Sequence, residues 1–109
     1  MILYNVTINI DEEVHAEWVE WMKEVHIPDV MYTGKFLEYK FNKVLTGEEE
    51  GGHTYAIQYL APDEKAFHEY EAHHAPSLQE EHRKKFEGNF KAFRTIMRVI
   101  DSSDNREDS

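Results

Sequence analysis

A chain of 109 residues with 40% hydrophobic and 13% aromatic residues suits one domain with a real but modest core. Its formal net charge of −10, from 12 basic and 22 acidic residues, opposes binding to nucleic-acid phosphates or to an anionic membrane surface. There is no cysteine, which excludes disulfides, thiolate metal sites and cysteine nucleophiles, and no apolar run approaches the ~20 residues of a membrane span. Met1-Ile2-Leu3-Tyr4 has neither the basic lead-in nor the cleavage site of a signal peptide, so a cytoplasmic protein is expected.

Residues 2–10 alternate, with Ile2, Tyr4, Val6, Ile8 and Ile10 on one face, and predict a strand. Asp11 offers a cap oxygen for a helix that carries Val14, Trp18, Trp21, Met22 and Val25 as one apolar stripe. Pro28 disfavours a helical Ile27, so this helix is expected to end or bend near His26. A second strand is expected over 36–45. Thr46 to Gly52, with Glu48-Glu49-Glu50 at its centre, reads as a solvated acidic loop before a third strand over 53–60. Pro62-Asp63-Glu64 opens a helix with Ala66, Phe67, Tyr70 and His74 on its inner face. Pro76 restarts it, with Leu78, His82 and Phe86 in line, and Gly88 ends it. Residues 91–100 read as the last strand, and Asp101 to Ser109 as a disordered acidic tail.

The phrase His26-Ile27-Pro28 returns as His74-Ala75-Pro76, each time near the end of a helical stretch that follows a strand. The chain thus divides into similar halves, and the order βαββαβ predicts an α+β, ferredoxin-like domain over residues 1–100. Both helices then cover one face of a four-stranded antiparallel sheet. The other face is expected to carry Leu3, Asn5, Thr7, Ala56, Gln58, Arg94, Ile96 and Arg98. That face is too apolar for water and too polar for a dry core. Two such faces packed together, as in a dimeric α/β barrel, would suit it, so a homodimer is expected; the alternative is a monomer that binds through the face.

Seven histidines invite a search for chemistry. In this topology the two His-x-Pro units fall at opposite ends of the sheet, which favours local roles such as bonding the last carbonyls of a helix. His26 is expected to meet Tyr4 or Tyr59. His53, His74 and His82, with Glu81 nearby, are the residues that could converge on zinc, but without a His-Glu-x-x-His motif no metal site is assigned. Asn5, Thr7, Gln58, Arg94 and Arg98 form a second group. They either orient a small polar or anionic ligand, with Arg94 as a fork for a carboxylate, or bond one another across the dimer interface. No P-loop, dinucleotide fingerprint or serine triad is present, and no cofactor is assigned.

The motifs Tyr4-Asn5-Val6-Thr7, Trp18-x-x-Trp21-Met22, His26-Ile27-Pro28, Thr33-Gly34-Lys35-Phe36, Gly51-Gly52-x-Thr54-Tyr55, His74-Ala75-Pro76, Glu81-His82 and Phe93-Arg94-Thr95 carry a resemblance. Together they resemble the bacterial domain-of-unknown-function family 4286, nearly colinearly over residues 1–100. The resemblance implies a ferredoxin-like relative of the dimeric α/β barrels and brings no activity with it. Two functional readings stand. One is a homodimeric small-ligand-binding or structural domain. The other, by fold analogy, is an enzyme such as a cofactor-independent monooxygenase or a haem-degrading oxygenase, with Asn5 and His74 in its site. A cavity that holds Asn5 and His74 together would favour the enzyme.

Overall fold

The computed structural model describes residues 1–47 and 51–103. The acidic run Glu48 to Glu50 and residues 104–109 of the expected tail lie outside the described residues.

Alternation decides the first strand. β1 spans Ile2–Ile10, and Ile2, Tyr4, Ile8 and Ile10 bury their side chains against the helices. The side-chain cap expected of Asp11 does not form; instead its carbonyl accepts the Val14 N–H at 3.2 Å and its own N–H donates to Asn89 O at 2.9 Å. A single 3₁₀ turn, Glu12–Val14, then leads into α1, His15–Trp21.

The first helical arm does not stop at His26. Over Met22–His26 the backbone widens into a π-type turn, in which Ile27 N–H donates to Met22 O five residues back. The arm continues as α2, Ile27–Tyr32, with Ile27 itself helical at φ −64°, ψ −44°. The wide turn is how the chain tolerates Pro28, which brings no N–H and whose ring would crowd the carbonyl four residues back in a regular helix. It also inserts one residue into the apolar stripe. The buried series therefore runs Trp18, Met22, Ile27, Val30, and Val25, expected inside, faces solvent. His26 rotates inward in its place. Gly34, at φ 76°, ends the arm in the left-handed conformation, with its N–H on Met31 O.

β2 (Glu38–Lys43) and β3 (His53–Ala61) form a hairpin, β2 being shorter than expected at both ends. Gly52 shapes the entry to β3. Its φ is +68°, and a Cβ there would lie 2.7 Å from Asn9 Oδ1 and 2.8 Å from Ile10 O, so only glycine lets the chain pass this close to the end of β1. Asp63 caps α3 (Glu64–His73) by accepting the Ala66 N–H at 2.8 Å. The chain kinks at His74 and resumes as α4, Ala75–Phe86, whose Leu78, His82 and Phe86 are all buried, as their spacing predicts. β4 spans Phe90–Arg98.

The sheet order is β2-β3-β1-β4 with every pair antiparallel. Both helical arms cover one face: Trp18 of α1 packs on Tyr55 of β3, and Phe67 of α3 packs on Tyr4 of β1. This is the ferredoxin-like arrangement expected from the element order. Among the described residues no helix is long and apolar enough to cross a membrane.

Candidate functional site

Register places the polar side chains. Tyr4 pairs with Tyr59 and Ile96, and Val6 with Ile57 and Arg94. Arg94, Ile96 and Arg98 therefore share the helix-facing side with Tyr4, and not the open side expected for them. The pattern on β4 misleads because both of its faces are mixed: Arg94, Ile96 and Arg98 on one, Phe93, Thr95 and Met97 on the other. A slip of one residue in phase exchanges them.

Asn5, Thr7 and Gln58 do occupy the open face. Asn5 Nδ2 donates to Thr7 Oγ1 at 2.9 Å, and Asn5 pairs with Gln58 across β3. The predicted group is thus divided by the sheet, with Arg94 on one side and Asn5, Thr7 and Gln58 on the other.

The histidines also regroup. His53 stands apart from His74 and His82: it stacks on His15 at the start of α1, with ring centroids 3.7 Å apart, and bonds Glu12 Oε2 at 2.7 Å. His74 sits at the α3–α4 kink, its ring 6.3 Å from that of Tyr70. His82 faces the opposite way, into the core, where Trp18 Nε1–H donates to its Nε2 at 2.9 Å. His53, His74 and His82, which could have converged, do not, because His82 is on the buried stripe of α4 while His53 lies at a sheet end. His26 does not meet a tyrosine hydroxyl. Its ring stacks on Trp21 at 5.2 Å and meets His82 at 5.7 Å, and its Nδ1 is buried with no hydrogen-bond partner among the described residues. Nor does it cap a helix end, since the backbone stays helical through it.

These displacements create one pocket between the helices and the sheet, of about 280 Å³. Its walls are Val6, Ile8, Met22, Val30 and Ile57, and the rings of Tyr4, Tyr59, Tyr70 and Phe90. Its polar groups are His26, His82, Gln79, Arg83 and Arg94. Gln79 and Tyr70 were not singled out as site residues from the sequence. Gln79 was detectable, because it precedes His82 by three residues and so shares its helix face.

The electrostatics of this pocket centre on Arg94. Burial pushes the Tyr4 hydroxyl above the usual phenol range, against the opposing Arg94 guanidinium and hydrogen bonds with Arg94 and Gln79. Burial also raises Tyr70, again with Arg94 opposing. Burial lowers His26 to about 4, opposed by Asp29 and assisted by Arg94. It lowers His82 to about 4 as well, assisted by His26 and then Arg94. Both imidazoles are therefore neutral at pH 7. Arg83 and Arg98 pair with Glu80 and Glu64, whereas Arg94 makes no ion pair with a carboxylate among the described residues. The pocket thus presents an aromatic, apolar chamber lined by two arginines, of which Arg83 is paired with Glu80 and Glu87 and Arg94 is not paired with a carboxylate among the described residues.

The α+β fold that frames this pocket is that of several solved structures. A dimeric ferredoxin-like protein from an uncultured marine organism superposes with a TM-score of 0.69, at 14% identity over 93% of this chain and 96% of its own. A mutant of SnoaB, a cofactor-independent oxygenase from Streptomyces nogalater, gives 0.68 at 11% identity over 94% and 96%. A mutant of MhuD with two manganese protoporphyrin IX molecules bound per active site gives 0.66 at 13% identity over 95% and 99%. These likenesses define the class, a ferredoxin-like α+β domain. The chain itself belongs to the family described as Domain of unknown function (DUF4286), whose model matches residues 1–100. No curated protein matches it.

Proposed function

We propose that this chain is a homodimeric small-ligand-binding domain spanning residues 1–100, and that its ligand is a small apolar or aromatic acid held between the sheet and the helices. One observation carries this reading: Arg94 stands at the mouth of an aromatic pocket without a carboxylate of its own, while the other described arginines are paired. A guanidinium in that position offers a two-pronged hydrogen-bond fork to a carboxylate. The chamber of about 280 Å³ suits a ligand of one or two rings. The net charge of −10 argues against nucleic acid, and the lack of cysteine suits a cytoplasmic setting.

The test is a thermal-shift and calorimetric screen of small aromatic carboxylates against the wild type and Arg94→Met, which keeps much of the apolar stem. Binders of the wild type are expected to lose about 10- to 100-fold in affinity in the variant, the scale of a charge-assisted hydrogen bond. Equal affinity for both proteins rules out the arginine-centred site.

The open sheet face supports the dimer. Leu3, Phe93 and Met97 lie there around the Asn5–Thr7 pair, with Phe93 63% exposed. Packing two such faces would remove that apolar area from water. Phe93→Asp is expected to halve the mass seen by light scattering at equal concentration, because a carboxylate would be buried without a partner. An unchanged mass places the interface elsewhere.

A second reading, an enzyme of the cofactor-independent monooxygenase type, has His26 in its favour: an imidazole that borders the pocket and whose Nδ1, without a hydrogen-bond partner among the described residues, can accept a hydrogen bond from the hydroxyl of a bound substrate. The haem-degrading version fits less well. Asn5 is on the open face and His74 at the helix kink, outside the pocket, so the pair that version would use is not assembled.

A further inference from the structure

A second cluster lies outside that pocket, where the first helical arm begins. Glu12 and His15 are three residues apart across a 3₁₀ turn, a geometry that stacks side chains i and i+3 on one line. His53 enters from β3, held there by the Gly52 turn, whose passage against Asn9 and Ile10 admits no side chain. Asn9 Nδ2 fastens the same turn, donating to Gly51 O at 3.2 Å and Thr54 Oγ1 at 3.0 Å. The result is a Glu12 Oε2 that sits 2.7 Å from His53 Nε2 and 3.8 Å from His15 Nδ1, with one donor atom from each residue within 4.8 Å of the others.

The surroundings suit ligation. His15 Nε2 is 2.7 Å from Tyr55 Oη, and donation of the Nε2 proton to that hydroxyl leaves the Nδ1 lone pair facing Glu12. Both imidazoles are 22% exposed in their side chains and Glu12 is 78% exposed, so an ion can enter and the carboxylate can adjust.

We propose that Glu12, His15 and His53 form a binding site for a divalent transition-metal ion of the zinc class, which would tie the start of the first helical arm to the start of β3. Two imidazoles and one carboxylate are a ligand set for such ions, and they leave a position open to water. In a tetrahedral site with bonds of about 2.0–2.1 Å, ligand atoms lie roughly 3.4 Å apart. The observed 2.7 Å and 3.8 Å bracket that spacing. Binding replaces the proton shared by His53 Nε2 and Glu12 with the ion. That proton moves to Nδ1 of the same ring, and Lys43 Nζ, which lies 3.1 Å from Nδ1, swings out toward solvent. The His53 ring turns out of its stack on His15 so that both lone pairs point at one centre.

The test is calorimetric titration of the chelator-treated full chain with zinc chloride, repeated with cobalt chloride and followed by visible absorption. The variants are His15→Gln, His53→Gln and, as a control at an exposed histidine outside both sites, His73→Gln; circular dichroism checks that each is folded. The expected result is one ion per chain in the wild type. Affinity should be weaker by about tenfold or more in each of the first two variants, unchanged in the control, and accompanied by a raised melting temperature in the wild type alone among the first three proteins. No saturable uptake by the wild type overturns the proposal, as does uptake that is unaltered in either His15→Gln or His53→Gln.

Discussion

Between pH 7 and pH 4.5 the protein is expected to lose about 4–5 kcal/mol of stability through two histidines alone, enough to bring a domain of ordinary stability close to unfolding. His26 and His82 are held at about 4 in the folded chain, chiefly by burial, against an unfolded value near 6.5. In that interval the unfolded chain binds protons that the folded chain refuses. Stability is therefore intact above about pH 6.5 and falls as the pH drops toward 4. With both groups neutral in the fold, the limiting slope is about 2.7 kcal/mol per pH unit. The overall charge predicts the opposite. At a net −10, acidification toward the isoelectric point near 5.1 relieves self-repulsion and should stabilise. Urea melts at pH 7, 6, 5 and 4.5 separate the two effects. Stability that is flat or rising down to pH 5 would mean that the imidazoles are accessible to protons and that the pocket is open around them.

The fold was legible because its signals are local and mutually consistent. Alternation over 2–10, the proline restart at Pro76, and Leu78-His82-Phe86 at intervals of four each point to one element in one orientation. The candidate site was legible only in part, for three physical reasons. Arg94 lies on a strand with two mixed faces, where periodicity identifies a strand but not its phase. His26 is turned inward by a wide helical turn, a deviation that Pro28 hints at without specifying whether the helix ends, bends or widens. The Glu12, His15 and His53 group joins residues about 40 apart through a register fixed by β1 and β3. Its local half, Glu12-x-x-His15, was present in the sequence as a helical i, i+3 pair of ligand types. Without the partner from β3, that pair is indistinguishable from a solvated first turn.

Trp18→Ala is expected to lose about 3–5 kcal/mol, the cost of a large core truncation. Trp18 is fully buried between the sheet and α4, against Phe41, Tyr55 and His82. The more informative variant is Trp18→Phe. It keeps most of the ring volume but removes the Nε1–H that donates to His82 Nε2 at 2.9 Å. A donor fixed on that nitrogen holds the imidazole neutral, because protonation of Nε2 would break the bond. At pH 7 the Phe variant should lose about 1–3 kcal/mol, leaving a buried acceptor without its partner. Its loss on acidification should then be shallower than that of the wild type, because the folded His82 takes up its proton more readily once the indole is gone. The two proteins are compared by urea melts across the same pH series. Parallel curves would show that burial and the Arg94 charge, rather than the indole, keep His82 neutral. Converging curves would make Trp18 the residue that sets the protonation state of the pocket wall.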